Sequence, residues 1–272
     1  MVSFLFWNIN KHEATLPLIA DICELHNIDI VLLAECITEP GTLLYKINHD
    51  RENKYFHPSL NLCEKITVLT RFNESKLIEA IHEEPRFTIR HLQLPGLTDI
   101  ILVAAHHISK NYSDSIDQYT EAIRLSQQIK DAEKKVGHCR TLLVGDLNMN
   151  PFEGGIVSSA ALHAVSSRKI ASRITRKVQS IDYPFFYNPM WNLLGDAQKN
   201  PPGTYYYSSS SHVSFFWNTF DQVLIRPDLV ERFNMGALNV ISEIGTTSLL
   251  SNKEIPKKVF SDHLPIVFSL NL

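Results

Sequence analysis

The stretch "TLLVGDLNMNP", Thr141 to Pro151, runs apolar residues into a glycine and then sets Asp146 and Asn148 two positions apart. In an extended segment that spacing sends both side chains off one face. Other strand-like runs also finish on polar residues: "FLFWN" at Asn8, "VLLAE" at Glu35 and "VAAHH" at His106 and His107. "TFDQVLI" opens around Asp221, and "SDHLPIVF" opens on Asp262 and His263. Carboxylates and imidazoles beside buried strands lose hydration, so they need a partner or a metal. Sites drawing on Asn, Asp, Glu and His alone point to one shared purpose. Oxygen donors suit Mg2+, Mn2+ or Ca2+, whereas zinc would recruit more His or Cys. Histidine adds proton transfer near neutral pH. A cation that offsets phosphoryl charge, an anion that orients water and an imidazolium that stabilises the oxyanion or leaving group are the parts of a phosphate-ester hydrolase.

The elements that must carry these residues are mostly strands. "VSFLFWNI", "IDIVLLAE", "KITVLTRF", "RFTIRHLQL", "DIILVAAHHI", "RTLLVGD", "FDQVLI" and "HLPIVFSL" read as buried strands. Leu18, Ile22 and Leu25 follow helical spacing. The clearest helix covers 114–136, with Ser113 or Asp114 as N-cap and Ile116, Tyr119, Ile123, Leu125, Ile129, Ala132 and Val136 as its apolar stripe. No Gly/Ser linker divides the 272 residues, so a single layered domain over 1–272, sheets inside and helices outside, fits the order.

In this order "FWNIN", "LLAE", "HHIS", "GDLNMNP", "FDQVLI" and "SDHLPI" resemble the signature of the endonuclease/exonuclease/phosphatase (deoxyribonuclease I-like) superfamily. The resemblance spans Asn8 to His263. It implies an α/β four-layer sandwich, two mixed β-sheets packed face to face with helices outside, and a site at one edge. It implies Glu35 as principal metal ligand with Asn8 and Asp262 beside it, Mg2+ as the cofactor and Mn2+ as a substitute. By the same resemblance Asp146 orients the attacking water, Asn148 contacts phosphate or metal, His263 faces the scissile phosphate and Asp221 holds His263. His106 and His107 face opposite sides of a regular strand; "HIS" at 107–109 resembles the family's His followed by an aliphatic residue, which selects His107. Asn10 stands where abasic-site endonucleases tend to carry Asp, and Arg71 resembles an arginine of structural role. Read without the resemblance, each position is a strand-end side chain, an Asx turn or a satisfied histidine.

The substrate is less legible. Residues 166–180 hold Arg168, Lys169, Arg173, Arg176 and Lys177 and no acid, a run that tracks phosphates or simply forms a solvated face. The aromatic stretches "YPFFYNPMW" and "YYYSSSSHVSFFW" suit either base stacking or a core. A net charge of −3 gives no global basic field. The four cysteines are scattered without a metal or redox spacing, and no run approaches a membrane span or signal peptide, which makes the cytoplasm the default. The expectation is a Mg2+-dependent nuclease acting on DNA or RNA. The alternatives are a phosphatase or phosphodiesterase of inositol phosphates or lipid head groups, and a catalytically inactive nucleic-acid-binding module.

Overall fold

The computed structural model describes residues 1–58, 62–74, 77–196, 201–210 and 212–272. In the first sheet β1 (Val2–Asn8) runs parallel to β2 (Ile30–Ala34), which pairs antiparallel with β3 (Ile66–Thr70). On the other side of β1 lie β18 (Ile266–Leu270) and then β15 (Phe233–Val240). The second sheet has the order β4 (Ile78–Glu84), β5 (Phe87–Leu92), β6 (Ile100–His106), β7 (Thr141–Asp146), β14 (Asp221–Ile225), β11 (Phe186–Tyr187) and β8 (Ala164–Val165). Three hairpins complete the strands: β9 (Thr175–Val178) with β10 (Ile181–Pro184), β12 (Tyr205–Tyr207) with β13 (Phe216–Asn218), and β16 (Glu243–Ile244) with β17 (Thr247–Ser248).

Side-chain alternation builds the layers. Leu102, Ala104, Leu142, Val144, Val223 and Ile225 join the core cluster shared with Phe4, Phe6 and Leu32 of the first sheet. Their neighbours Ile101, Val103, Ala105, Leu143 and Leu224 turn the other way, under α3 (Ser115–Val136). The first sheet is covered by α1 (Leu16–Leu25) and α2 (Pro40–Asn48), which bury Leu16, Ile19, Ile22, Leu43 and Ile47 in the same cluster. Two short helices, α4 (Gly154–Val157) and α5 (Arg168–Ala171), lie in the connection after β7. The fold is the expected sandwich of two mixed sheets with helices outside. Among the described residues no helix is long and apolar enough to cross a membrane.

Helix α3 starts where its sequence says it should. The Asp114 carboxylate accepts from the main-chain N–H of Ile116 and Asp117, and the Asp117 side chain answers it. Gly137 ends the helix in the left-handed conformation. The buried stripe is rotated from the expected one: Ala122, Leu125, Ile129 and Ala132 pack on the sheet, whereas Ile116 is 70% exposed.

Register decides what reaches the edge of the sandwich. The parallel β6–β7 ladder places His106 opposite Asp146, and antiparallel β14 places Asp221 opposite Asp146. The parallel β1–β2 ladder ends at Asn8 opposite Ala34, so Glu35 leaves beside Asn8. Gly145 keeps β6 and β7 close, because a Cβ there would stand 1.9 Å from the Ala105 carbonyl oxygen. Gly145→Ala is expected to cost about 1–3 kcal/mol through overpacking, read as a lower urea midpoint at unchanged slope. An unchanged midpoint would contradict this packing.

Candidate active site

The strand ends converge at one edge. Asn8 Nδ2 donates to Asp146 Oδ2 at 3.0 Å and lies 3.5 Å from Glu35 Oε1. His106 Nε2 stands 3.6 Å from both Glu35 Oε1 and Asp146 Oδ2. The Asn148 main-chain N–H donates to Asp146 Oδ1 at 2.9 Å. His263 pairs with Asp221 through Nδ1 at 2.8 Å and turns Nε2 toward Asp146 Oδ2, 3.8 Å away. The "SDH" turn is pinned to β1, since Ser261 Oγ donates to the Asn8 carbonyl and Trp7 Nε1 to the His263 carbonyl. Glu35 and Asn148 both adopt left-handed backbone, at φ 52° and 51°, strain of the kind that collects at functional sites.

Of the paired histidines, His106 enters the cleft, not His107. His106 shares the parity of Ile100, Leu102 and Ala104, which face the first sheet, and β7 and β14 aim Asp146 and Asp221 the same way. His107 shares the parity of Ile101, Val103 and Ala105 and turns under α3. Its main chain still serves the site, donating to the Asp146 carbonyl at 2.8 Å and accepting from Asn148 Nδ2 at 3.2 Å. We expect His106→Ala to lower turnover at least tenfold more than His107→Ala in steady-state assays. Equal losses would contradict this placement.

Asp221 is fully buried and His263 nearly so, with one edge on the cleft. Burial opposes a charged imidazole, yet the Asp221 and Asp146 charges and the Asp221 hydrogen bond overcome it, and the His263 pKa is pushed up to about 10. Burial raises the Asp221 carboxyl, with His263 pulling it back. The pair therefore holds one proton through neutral pH, lodged on His263 and balanced by Asp221.

Residues 5–263 match the sequence pattern of the Endonuclease/Exonuclease/phosphatase family. The chain belongs to that family. Its members hydrolyse phosphoester bonds. No curated protein sequence matches the chain significantly. Among solved structures, Danio rerio TDP2 complexed with a single-strand DNA product matches with a TM-score of 0.58 and 16% identity, covering 100% of this chain and 99% of that one. The mannosyl-6-phosphatase of Bacteroides thetaiotaomicron VPI-5482 matches with 0.58 and 12% identity over 99% of both chains. The endonuclease domain of TRAS1, a telomere-specific non-LTR retrotransposon, matches with 0.54 and 13% identity, over 100% of this chain and 99% of its own. These likenesses establish the fold.

The donor set of this family member fits a divalent cation. Glu35, Asp146 and Asp262 bring three carboxylates to one cleft edge, with the Asn8 amide between Glu35 and Asp146. Asp146, Asp221 and His263 offer ligand atoms within 4.8 Å of one another, but His263 Nδ1 is already committed to Asp221. Glu35 Oε2, whose charged neighbour is Lys11 at 3.8 Å, and the oxygens of Asn8 and Asp262 are the hard donors facing the cleft. Asn10 explains its own departure from an acid. Its Nδ2 donates to Asp262 Oδ1 and its N–H to Asn8 Oδ1, both at 3.0 Å, and an aspartate there would set carboxylate against carboxylate.

The cleft has a volume of about 660 Å³. Lys11, Lys65, Arg86 and Lys110 supply its cations, and Tyr205, Tyr207, Phe215 and Phe220 its aromatic wall. Tyr205 packs its ring 4.7 Å from that of His263. Burial and the nearby Asp262 and Asp146 push its hydroxyl up to about 12, so it remains a neutral donor. The basic run of 166–180 does not line the cleft. Its Arg176 and Lys177 lie on the exposed β9–β10 hairpin, which feeds β11 from the end away from Asp221. Of the first aromatic stretch, Phe185, Phe186, Tyr187 and Met190 fill the core; the second forms the β12–β13 hairpin that reaches the cleft. Trp217 stands half-buried against Tyr206, and Arg71 ties Asn27 and Asp29 together at the far end.

A second cluster, His91, Asp99 and His138, lies at the opposite end of β6. His138 Nδ1 accepts from the Arg140 N–H, so Nε2 carries the proton it gives to Asp99. That leaves His138 no lone pair for a metal. The cluster is a clamp on Asp99, whose carboxyl is held below its usual range: burial opposes ionisation, but bonds from His91, Arg140 and His138 prevail.

Proposed function

We propose that the chain is a Mg2+-dependent phosphodiesterase that cleaves nucleic acid, DNA or RNA, by direct attack of water, with residues 1–272 acting as one catalytic domain. The observation that carries this reading is the convergence on Asp146 of Asn8, Asn148, His106 and the proton-bearing His263. Asp146, fixed on both oxygens, orients the water and receives its proton as the new P–O bond forms. His263 Nε2, the free end of a ring held by Asp221, donates to the phosphoryl group or the departing oxygen as the old P–O bond breaks. His106 and Asn148 add donors at the same edge, and Tyr205 walls off water beside His263. Glu35, Asn8 and Asp262 would hold the cation, which neutralises phosphoryl charge when bound.

Nucleic acid is favoured because the cleft carries four basic side chains beside an aromatic wall, a combination suited to a phosphate backbone with stacking bases. The relatives described as an endonuclease domain and as TDP2 with single-strand DNA support the same class. The test is hydrolysis of single- and double-stranded DNA, RNA, bis-p-nitrophenyl phosphate and sugar or inositol phosphates by wild type and Glu35→Ala. The reading expects metal-dependent cleavage of polynucleotide, lost in Glu35→Ala. Turnover confined to phosphate monoesters would move the chain to the phosphatase alternative, and tight binding without turnover to an inactive module.

A further inference from the structure

The segment that enters β12 carries a threonine with no role so far. Thr204 is fully buried. Gly203 before it packs on the main chain of Asn218 in β13, where a Cβ would stand 2.6 Å from the carbonyl oxygen. The Thr204 N–H donates to that Asn218 carbonyl at 2.9 Å, and the Thr204 carbonyl accepts from the Leu264 N–H at 2.8 Å. Its hydroxyl oxygen accepts from the Asp221 N–H at 3.1 Å. Asp221 opens β14 in the second sheet, and Leu264 follows His263 on the way to β18 in the first. One residue outside both strands thus bonds beside each member of the His263–Asp221 pair. The same anchor brings Tyr205 to its place against the His263 ring.

The Asp221 carboxylate has one oxygen to spare. Oδ2 takes the His263 Nδ1 proton, whereas Oδ1 is buried and has no hydrogen-bond partner. A buried carboxylate oxygen left without a donor is costly. A hydroxyl offers one proton and two lone pairs. The Asp221 N–H uses a lone pair of Thr204, and no other acceptor among the described residues takes its proton. Burial raises the Asp221 carboxyl, and His263 and the Thr204 hydroxyl draw it back down.

We propose that Thr204 is a positioning residue of the His263–Asp221 pair, its hydroxyl proton turned to the Asp221 carboxylate and its carbonyl fixing the backbone next to His263. The carboxylate then meets a donor on each side, and its plane stays aligned with the imidazole. His263 Nε2 in turn keeps its aim at the cleft. Thr204 touches neither substrate nor the reacting atoms in this scheme; it acts through Asp221. The inference rests on the phosphodiesterase reading, since it assigns a support for the proton donor of that reaction.

Thr204→Val, close to threonine in shape but without the hydroxyl, and Thr204→Ser, which keeps it, provide the test. Both are read in Mg2+ as kcat and KM on bis-p-nitrophenyl phosphate and as the Nδ1–H proton resonance of His263. Thr204→Val should lower kcat about tenfold or more with KM within about twofold of wild type, and should shift that resonance. Thr204→Ser should hold both near their wild-type values. Equal kcat in the valine and serine variants overturns the inference, because the hydroxyl would then have no part. A resonance unmoved in Thr204→Val overturns it as well. Where the valine variant does not fold, Thr204→Ala is read against serine on the same terms. A wild type that hydrolyses no phosphodiester removes the phosphodiesterase reading itself, and the resonance shift alone then decides whether Thr204 holds the pair.

Discussion

Asp146→Asn is expected to lower phosphodiester turnover by roughly 10²–10⁴, the scale of a positioned acid–base group. The substitution is nearly isosteric and keeps an acceptor for the Asn148 N–H. It destroys the rest of the arrangement. The Oδ2 that accepts from Asn8 Nδ2 and faces His106 and His263 becomes an amide donor opposing a donor. Water then meets neither a proton acceptor nor a fixed orientation. Stability should change little, because one carboxylate is removed from the three that share the cleft edge. The measurement is kcat beside thermal unfolding; a variant within tenfold of wild type would remove Asp146 from its role.

His263→Ala should bring a loss of the same order, roughly 10²–10⁴ in kcat, and Asp221→Asn should reproduce part of it through His263. Because the pair shares one proton, the double variant should lose little beyond His263→Ala alone. The pH dependence carries a sign. The folded His263 pKa is raised above its ordinary value, to about 10, so the protonated, donating form persists through neutral pH. Activity that depends on it should fall as pH rises through about 10. The stabilisation that the ion pair gives the fold follows the same direction, complete below the ordinary imidazole pKa and lost as pH rises through about 10. In Asp221→Asn the alkaline limb of kcat should move toward neutrality. Breaking a buried pair also destabilises, by about 3–5 kcal/mol, so kcat and its pH profile must be measured well below the variant's Tm. An unmoved limb would show that Asp221 does not govern the His263 proton.

The strands that deliver the site were legible because each is a compact apolar run closed by a polar residue, as in "VLLAE" and "LLVGDLN". The face of β6 was not legible. Both sides of that strand are buried, one against the first sheet and one against α3, so alternation in "ILVAAHH" names no inner side and His106 and His107 look equivalent. The parity of Asp146 in β7 supplies the answer only once the β6–β7 register is known. The rotated stripe of α3 has a similar origin, since Ile116 and Ile123 are apolar yet turned outward. The cations of the cleft escaped sequence reasoning for another reason. Lys11, Lys65, Arg86 and Lys110 come from four separate loops, whereas the conspicuous run at 168–177 is contiguous and lies elsewhere. Asn10 became intelligible through the bond its Nδ2 donates to Asp262, which an acid could not make.

The most direct test of the whole account is the initial rate of bis-p-nitrophenyl phosphate hydrolysis as Mg2+ is titrated into EDTA-treated protein, wild type beside Asp146→Asn. The account predicts no turnover without metal, saturable turnover with it, and a loss of roughly 10²–10⁴ in the variant. Turnover that is indifferent to Mg2+, or equal in the two proteins, would contradict it.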